Sequence, residues 1–149
     1  MKKGYELPCN IAQSLNIIGD RWTLLIIHDI LIGHQHFNEL RTSLTGISSN
    51  LLSERLKYLE EEGLIEATLY SKHPPRYKYS LTKSGQDLEH VFHSLVIWGR
   101  KHLQKCYKKI EHTACHHEVE IAYYCPHCRE NVEDLTVIPV NVEEKNQSL

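Results

Sequence analysis

The stretch Ser48–Gly63, reading SSNLLSERLKYLEEEG, constrains what this chain can fold into more than any other. Leu52, Leu56 and Leu59 recur at i, i+4 and i+7, which places them on one side of a helix. Ser48 stands where a side-chain oxygen can accept from the unpaired N–H groups of a first turn. Gly63 stands where a helix stops. The opposite side carries Ser49, Asn50, Ser53, Arg55 and Lys57, small hydrogen-bonding groups followed by cations. Taken alone, this is an amphipathic surface helix. A helix with one side in a core and small polar groups near its N-terminus also has the build of a recognition helix for the DNA major groove. The neighbouring segments decide between the two.

Upstream, Asn38 can cap a short helix to Leu44, with Phe37, Leu40 and Leu44 on one side, and Thr45-Gly46 makes a tight turn. Two helices joined by such a turn form a helix-turn-helix. Downstream, Ile65, Ala67 and Leu69 alternate with polar residues. Ser71–Pro75 is a turn-forming tip, and Tyr77, Tyr79 and Leu81 alternate again. This is a β-hairpin with one buried side. Its tip and outer side carry Lys72, His73, Arg76 and Lys78 and no acid. A basic hairpin directly after a helix-turn-helix is a wing, whose cations meet phosphates or enter the minor groove. Glu60, Glu61 and Glu62 oppose the dipole at the end of the recognition helix and repel phosphates, so its N-terminal half must face DNA. The reading residues are then Ser49, Asn50, Ser53 and Lys57, behind Ser48 at the tip. Arg55 is either a phosphate contact or an internal partner of a glutamate.

Before this unit, Pro8 suits the first turn of a helix striped by Ile11, Leu15 and Ile18. Cys9 falls in that first turn, where free N–H groups and the dipole favour a thiolate and hence a redox-sensing role. Asp20 can cap a second helix, Arg21–Ile32, apolar nearly all round and so central. After the wing, Thr82 can cap a long helix from Lys83 to about Ile110, roughly 40 Å. Its stripe of Leu88, Val91, Phe92, Leu95, Val96, Trp98 and Leu103 exceeds what a small winged helix can cover. A homodimer interface is the expected use, matching operator half-sites about 34 Å apart.

The net charge of −2 hides a division: residues 1–112 hold 15 Lys+Arg against 12 Asp+Glu, and residues 113–149 hold two against seven. The body is mildly basic and the tail acidic, so non-specific DNA affinity should be modest and salt-sensitive. The N-terminal MKKGYELP has no apolar signal region, and no run of about 18 apolar residues exists, which points to the cytoplasm and away from membranes. The five cysteines are then expected reduced.

The runs LPCNIAQSLNIIGDRW, HFNELRTSLTGISSNLLSERLKYLEEEGLIE and PPRYKYSLTKSGQDL, with a later WG, resemble the HxlR-type winged-helix regulators, relatives of the MarR group. The resemblance covers about residues 7–103. It implies a small dimeric transcription factor acting on double-stranded operator DNA. Some members sense quinones, aldehydes or oxidants through the cysteine that matches Cys9, which implies an oxidant or small-molecule effector here.

The segment 112–128, HTACHHEVEIAYYCPHC, carries His112 and Cys115 at H-x2-C spacing and Cys125 and Cys128 at C-x2-C spacing. Each pair can bite one Zn²⁺, and four N/S ligands complete a closed structural tetrahedron. His116, His117 and His127 are alternative fourth ligands, and a redox dithiol or a metal-free ribbon are alternative uses. No Gly-rich phosphate loop, nucleophile–base spacing or open metal site suggests an enzyme. The expected fold is mainly α with a small β-wing: a winged helix-turn-helix with a long C-terminal dimerisation helix and a short Cys/His-rich hairpin. It divides into residues 1–110, a zinc-ribbon-like extension 111–142, and a disordered tail 143–149. The rival to a DNA-binding regulator is a protein-interaction module that docks through the acidic tail.

Overall fold

The computed structural model describes residues 4–141, so the tail expected at 143–149 lies outside the described residues. The described residues form two compact units, divided between Lys108 and Lys109.

The first unit is built around α4 (Ser49–Glu61), which follows α1 (Asn10–Ile18), α2 (Thr23–Leu31) and α3 (Phe37–Ser43). Leu52, Leu56 and Leu59 are buried, as their spacing requires. Around them close Ile26, Ile27 and Ile30 of α2, Leu40 of α3, Leu44, Ile47, Leu64 and Ile65. The Ser48 hydroxyl accepts from the Leu51 N–H at 3.1 Å, and Gly63 turns the chain out at φ +73°. The turn between α3 and α4 passes through Gly46 at φ +97°. A left-handed backbone there is open to glycine and costly for other residues.

Two strands follow, β1 (Ile65–Lys72) and β2 (Pro75–Leu81), paired antiparallel from Ile65↔Leu81 to Lys72↔Pro75 with an irregularity between Leu69 and Ser71. The wing is anchored at its root. Ile65 is buried there, whereas Leu69, expected on the buried side, is exposed near the tip. The Tyr79 N–H donates to the Gln35 carbonyl at 2.8 Å, and His36 bridges Lys78, tying β2 to the segment that enters α3.

The C-terminal helix is shorter than its pattern suggests. It is split into α5 (Lys83–Asp87) and α6 (Glu89–His102), and Leu103 is extended. At 1.5 Å per residue α6 runs about 21 Å, half the expected length. Thr82 fixes the start: its hydroxyl accepts from the Gly85 N–H at 3.2 Å and donates to the Gly63 carbonyl at 2.6 Å. A Cβ on Gly85 would lie 2.2 Å from the Leu64 carbonyl oxygen, so α5 sits at backbone distance from the exit of α4.

Of the long apolar stripe, Phe92 reaches the core, with an edge-on contact to His28. Val91, Leu95, Trp98 and Leu103 are exposed. The α1 stripe differs likewise: Ala12 is buried and Ile18 packs on the core, while Ile11 and Leu15 face outward. The second unit holds a short hairpin of β3 (Tyr123–Cys125) and β4 (Glu130–Val132). No helix among the described residues is long and apolar enough to cross a membrane.

Candidate nucleic-acid interface

The outward side of α4 sorts its polar residues by angle. At about 100° per residue, Asn50, Ser53 and Lys57 fall within roughly 60° of one another, opposite the leucines. All three are exposed. Ser49, nearer the core edge, is half-buried, and its Oγ accepts from the Arg41 guanidinium at 3.0 Å. Arg41 was not among the residues singled out by sequence. Its signal is its position in the last turn of α3, one tight turn before the recognition helix.

Arg55 sits roughly 140° round from Asn50 and points elsewhere. Its guanidinium lies 3.6 Å from Asp20 and 3.2 Å from Glu54, over the Tyr58 ring at 5.0 Å. Of its two expected roles the geometry shows the internal pair, with Asp20 as a partner from outside the helix. Asp20 itself accepts from the N–H groups of Trp22 and Thr23 at 3.0 and 3.2 Å and from the Thr23 hydroxyl. Burial alone would push its carboxyl up. The donors from Thr23 and Trp22, with the Arg55 charge, outweigh that and hold it below the usual carboxylate range. The helix expected from Arg21 starts at Thr23 with Trp22 as its N-cap, so Asp20 holds the turn that leads into α2 and anchors the flank of α4.

The wing cations Lys72, His73, Arg76 and Lys78 are all exposed. None is held in an ion pair with a described residue. Wing and recognition helix meet in one open groove of about 390 Å³, lined by Ser53 of α4, Arg76 and Tyr77 of β2, Tyr70 of β1, and His36 and Asn38 at the start of α3. The aromatic residues of this groove carried no sequence signal beyond strand alternation. Glu60, Glu61 and Glu62 are exposed at the far end of α4, away from its polar tip.

Cys9 is the N-cap of α1 rather than a residue of its first turn. It is exposed, and its side chain makes no capping hydrogen bond. In the second unit the contacts within each expected ligand pair are local. His112 Nδ1 lies 3.3 Å from Cys115 Sγ, and Cys125 Sγ accepts from the Cys128 N–H at 3.4 Å. N–H groups of Cys128 and His127, with the Cys128 thiol, pull the Cys125 thiol below its ordinary pKa. Among the described residues no three His, Cys, Asp or Glu side chains gather closely enough to hold a metal ion.

A polar-tipped helix, a tight turn before it and a cationic hairpin after it are the parts of a winged helix-turn-helix, and residues 17–107 match the HxlR-like helix-turn-helix family. The chain belongs to that family. Rv3095 of Mycobacterium tuberculosis, an HTH-type transcriptional regulator, is 34% identical over 133 residues, 87% of this chain and 84% of the relative. The structure of PA1374, a transcription factor from Pseudomonas aeruginosa, is 32% identical, covers 95% of this chain and 100% of its own, and superposes with a TM-score of 0.66. The reduced form of the transcriptional regulator YodB from Bacillus subtilis is 31% identical, over 66% of this chain and 97% of its own, with a TM-score of 0.55. The HxlR-like family and these relatives are regulators of transcription, not enzymes.

Proposed function

We propose that this HxlR-like protein regulates transcription as a homodimer bound to operator DNA. The groove shared by Ser53 and Arg76 carries the reading, because it lets one duplex meet helix and wing together. Asn50, Ser53 and Lys57 face base edges, with Ser48 and Ser49 at the tip. Arg76, Lys78, Lys72 and His73 meet phosphates or the minor groove, and Arg41 joins them beside the helix N-terminus. Arg55 braces α4 through Asp20. The dimer rests on the apolar residues left exposed on α1 and α6, Ile11, Leu15, Leu95 and Trp98 among them.

The test uses DNA from beside the protein's own gene. Lys57→Ala and Arg76→Ala should each weaken binding, Lys57→Ala by about 1–3 kcal/mol if it reads a base, and Arg76→Ala with a shallower salt dependence. Both should keep the wild-type circular dichroism and melting. Wild-type affinity in both variants, or a stoichiometric protein partner with no DNA footprint, would instead favour a protein-docking module.

The signal assigned is a thiol-reactive one at Cys9. Its exposure at a helix N-terminus supports this, as does the likeness to YodB, whose structure is also known with quinone bound. Oxidant should release wild-type protein from DNA and leave Cys9→Ser bound. An equal response in the two would remove Cys9 from the switch.

A further inference from the structure

Two turns in the second unit are built on one backbone plan. In the first, the His116 N–H donates to the His112 carbonyl at 2.8 Å, and His116 has φ +59°. In the second, the Arg129 N–H donates to the Cys125 carbonyl at 2.8 Å, and Arg129 has φ +57°. These are the only non-glycine residues at positive φ among the described residues. Side chains avoid that region, so its use at the same place in both turns is a shared constraint. Each turn closes a hairpin: Glu111 bridges Glu118 around the first, and Cys125 pairs with Glu130 around the second. In the first, the first and fourth side chains face each other across the corner, with His112 Nδ1 and Cys115 Sγ 3.3 Å apart. A nitrogen and a sulfur on one tetrahedral zinc ion stand about 3.5 Å apart, given Zn–N near 2.05 Å and Zn–S near 2.3 Å. In the second turn the Cys128 N–H donates to Cys125 Sγ at 3.4 Å, which folds the fourth residue back onto the first.

A separate observation says what the turns are for. No described residue of 109–141 is buried: Val119, Ile121, Tyr123 and Tyr124 are all exposed, and every cysteine is free. Units of about 40 residues usually need a disulfide, a metal or oligomerisation to hold a fold. We infer that His112, Cys115, Cys125 and Cys128 of one chain bind a single zinc ion, which closes the two turns on each other and replaces the missing core. The two pairs do not form one cluster among the described residues, so an ion would have to draw the turns together, coupling uptake to the fold of this unit. Three thiols give up their protons on binding, and His112 enters neutral.

The test takes the full-length protein, reduced and stripped with chelator, and titrates it with Co²⁺ as an optical probe and then with Zn²⁺. One ion per chain, with the visible spectrum of tetrahedral thiolate-bound Co²⁺, is expected, together with slowed amide exchange across 112–132. His112→Ala, Cys115→Ser and Cys125→Ser should each lose that spectrum, while His127→Ala keeps it. No uptake would overturn the inference, as would uptake that survives the His112→Ala, Cys115→Ser double variant. Half an ion per chain would also overturn it, since the site would then join two chains. So would a Cys125–Cys128 disulfide that forms in air, once the reductant is removed, even with Zn²⁺ in excess.

Discussion

Asp20 shows how one carboxylate can serve two helices. It takes three donors at the entry to α2 and faces Arg55 on α4. Asp20→Ala should cost about 1–2 kcal/mol in urea denaturation, the range for a lost N-cap. The pH dependence has a definite sign. The folded carboxyl titrates below its ordinary 3.8, so the unfolded chain binds more protons in that interval. The stabilisation is fully present above the ordinary value and is lost as pH falls through the depressed one. The deficit of Asp20→Ala should therefore be largest near neutrality and shrink below about pH 4. A deficit that stays constant into acid would mean that the carboxylate charge plays no part. That Asp20 gathers the N–H groups ahead of α2 is legible in the sequence because it needs only local spacing, although the N-cap itself is Trp22. The pairing of Asp20 with Arg55 is not, because the partners are brought together by packing rather than by spacing. The wheel angle of Arg55 already set it apart from Asn50, Ser53 and Lys57, and Arg41 was overlooked because its contact with Ser49 crosses a turn.

Periodicity named α4, its cap and its buried leucines because all three are settled within one element. The hairpin was equally plain, yet Leu69 is exposed, since alternation gives the side a residue faces and not how far the core extends beneath it. The C-terminal helix was misjudged for a different reason. Its stripe is continuous enough to suggest one rod, but the chain is pinned at Thr82–Gly85 to the carbonyls of Gly63 and Leu64. Leu88, at φ −70° and ψ −8°, separates α5 from α6, and α6 ends at His102 before an extended Leu103. Gly85→Ala tests the clamp. In a free helix the change would stabilise by about 1 kcal/mol. Here the new methyl would meet the Leu64 oxygen at 2.2 Å, a backbone atom that has little room to give. Overpacking of this kind costs about 1–3 kcal/mol. The net expectation is a lower midpoint in thermal and chemical denaturation. A variant that is more stable than wild type would show that α5 is not held at backbone distance.

For the whole molecule the decisive question is what covers the apolar residues exposed on α1 and α6. Leu95 and Trp98 on α6 are more than half exposed, and Ile11 on α1 is nearly three-quarters exposed. One exposed leucine is ordinary, but several large apolar residues repeated along both terminal helices are not. The proposed homodimer would supply a second copy as the occupant and would also serve DNA binding. Two linked recognition helices convert the second half-site contact into an intramolecular one, worth about a hundredfold or more in apparent affinity without any new contact. Leu95→Glu places a charge in that face while leaving the buried Phe92 beneath it untouched. Sedimentation should move from dimer to monomer, the melting of the winged helix should change little, and affinity for a two-half-site operator should fall by about a hundredfold. Affinity for a single half-site should stay near wild type, because the Asn50, Ser53 and Lys57 side chains of each copy are unaltered. A dimer that survives Leu95→Glu and Trp98→Glu together would move the interface off α6, and the geometry linking the two recognition helices would have to be sought on another face.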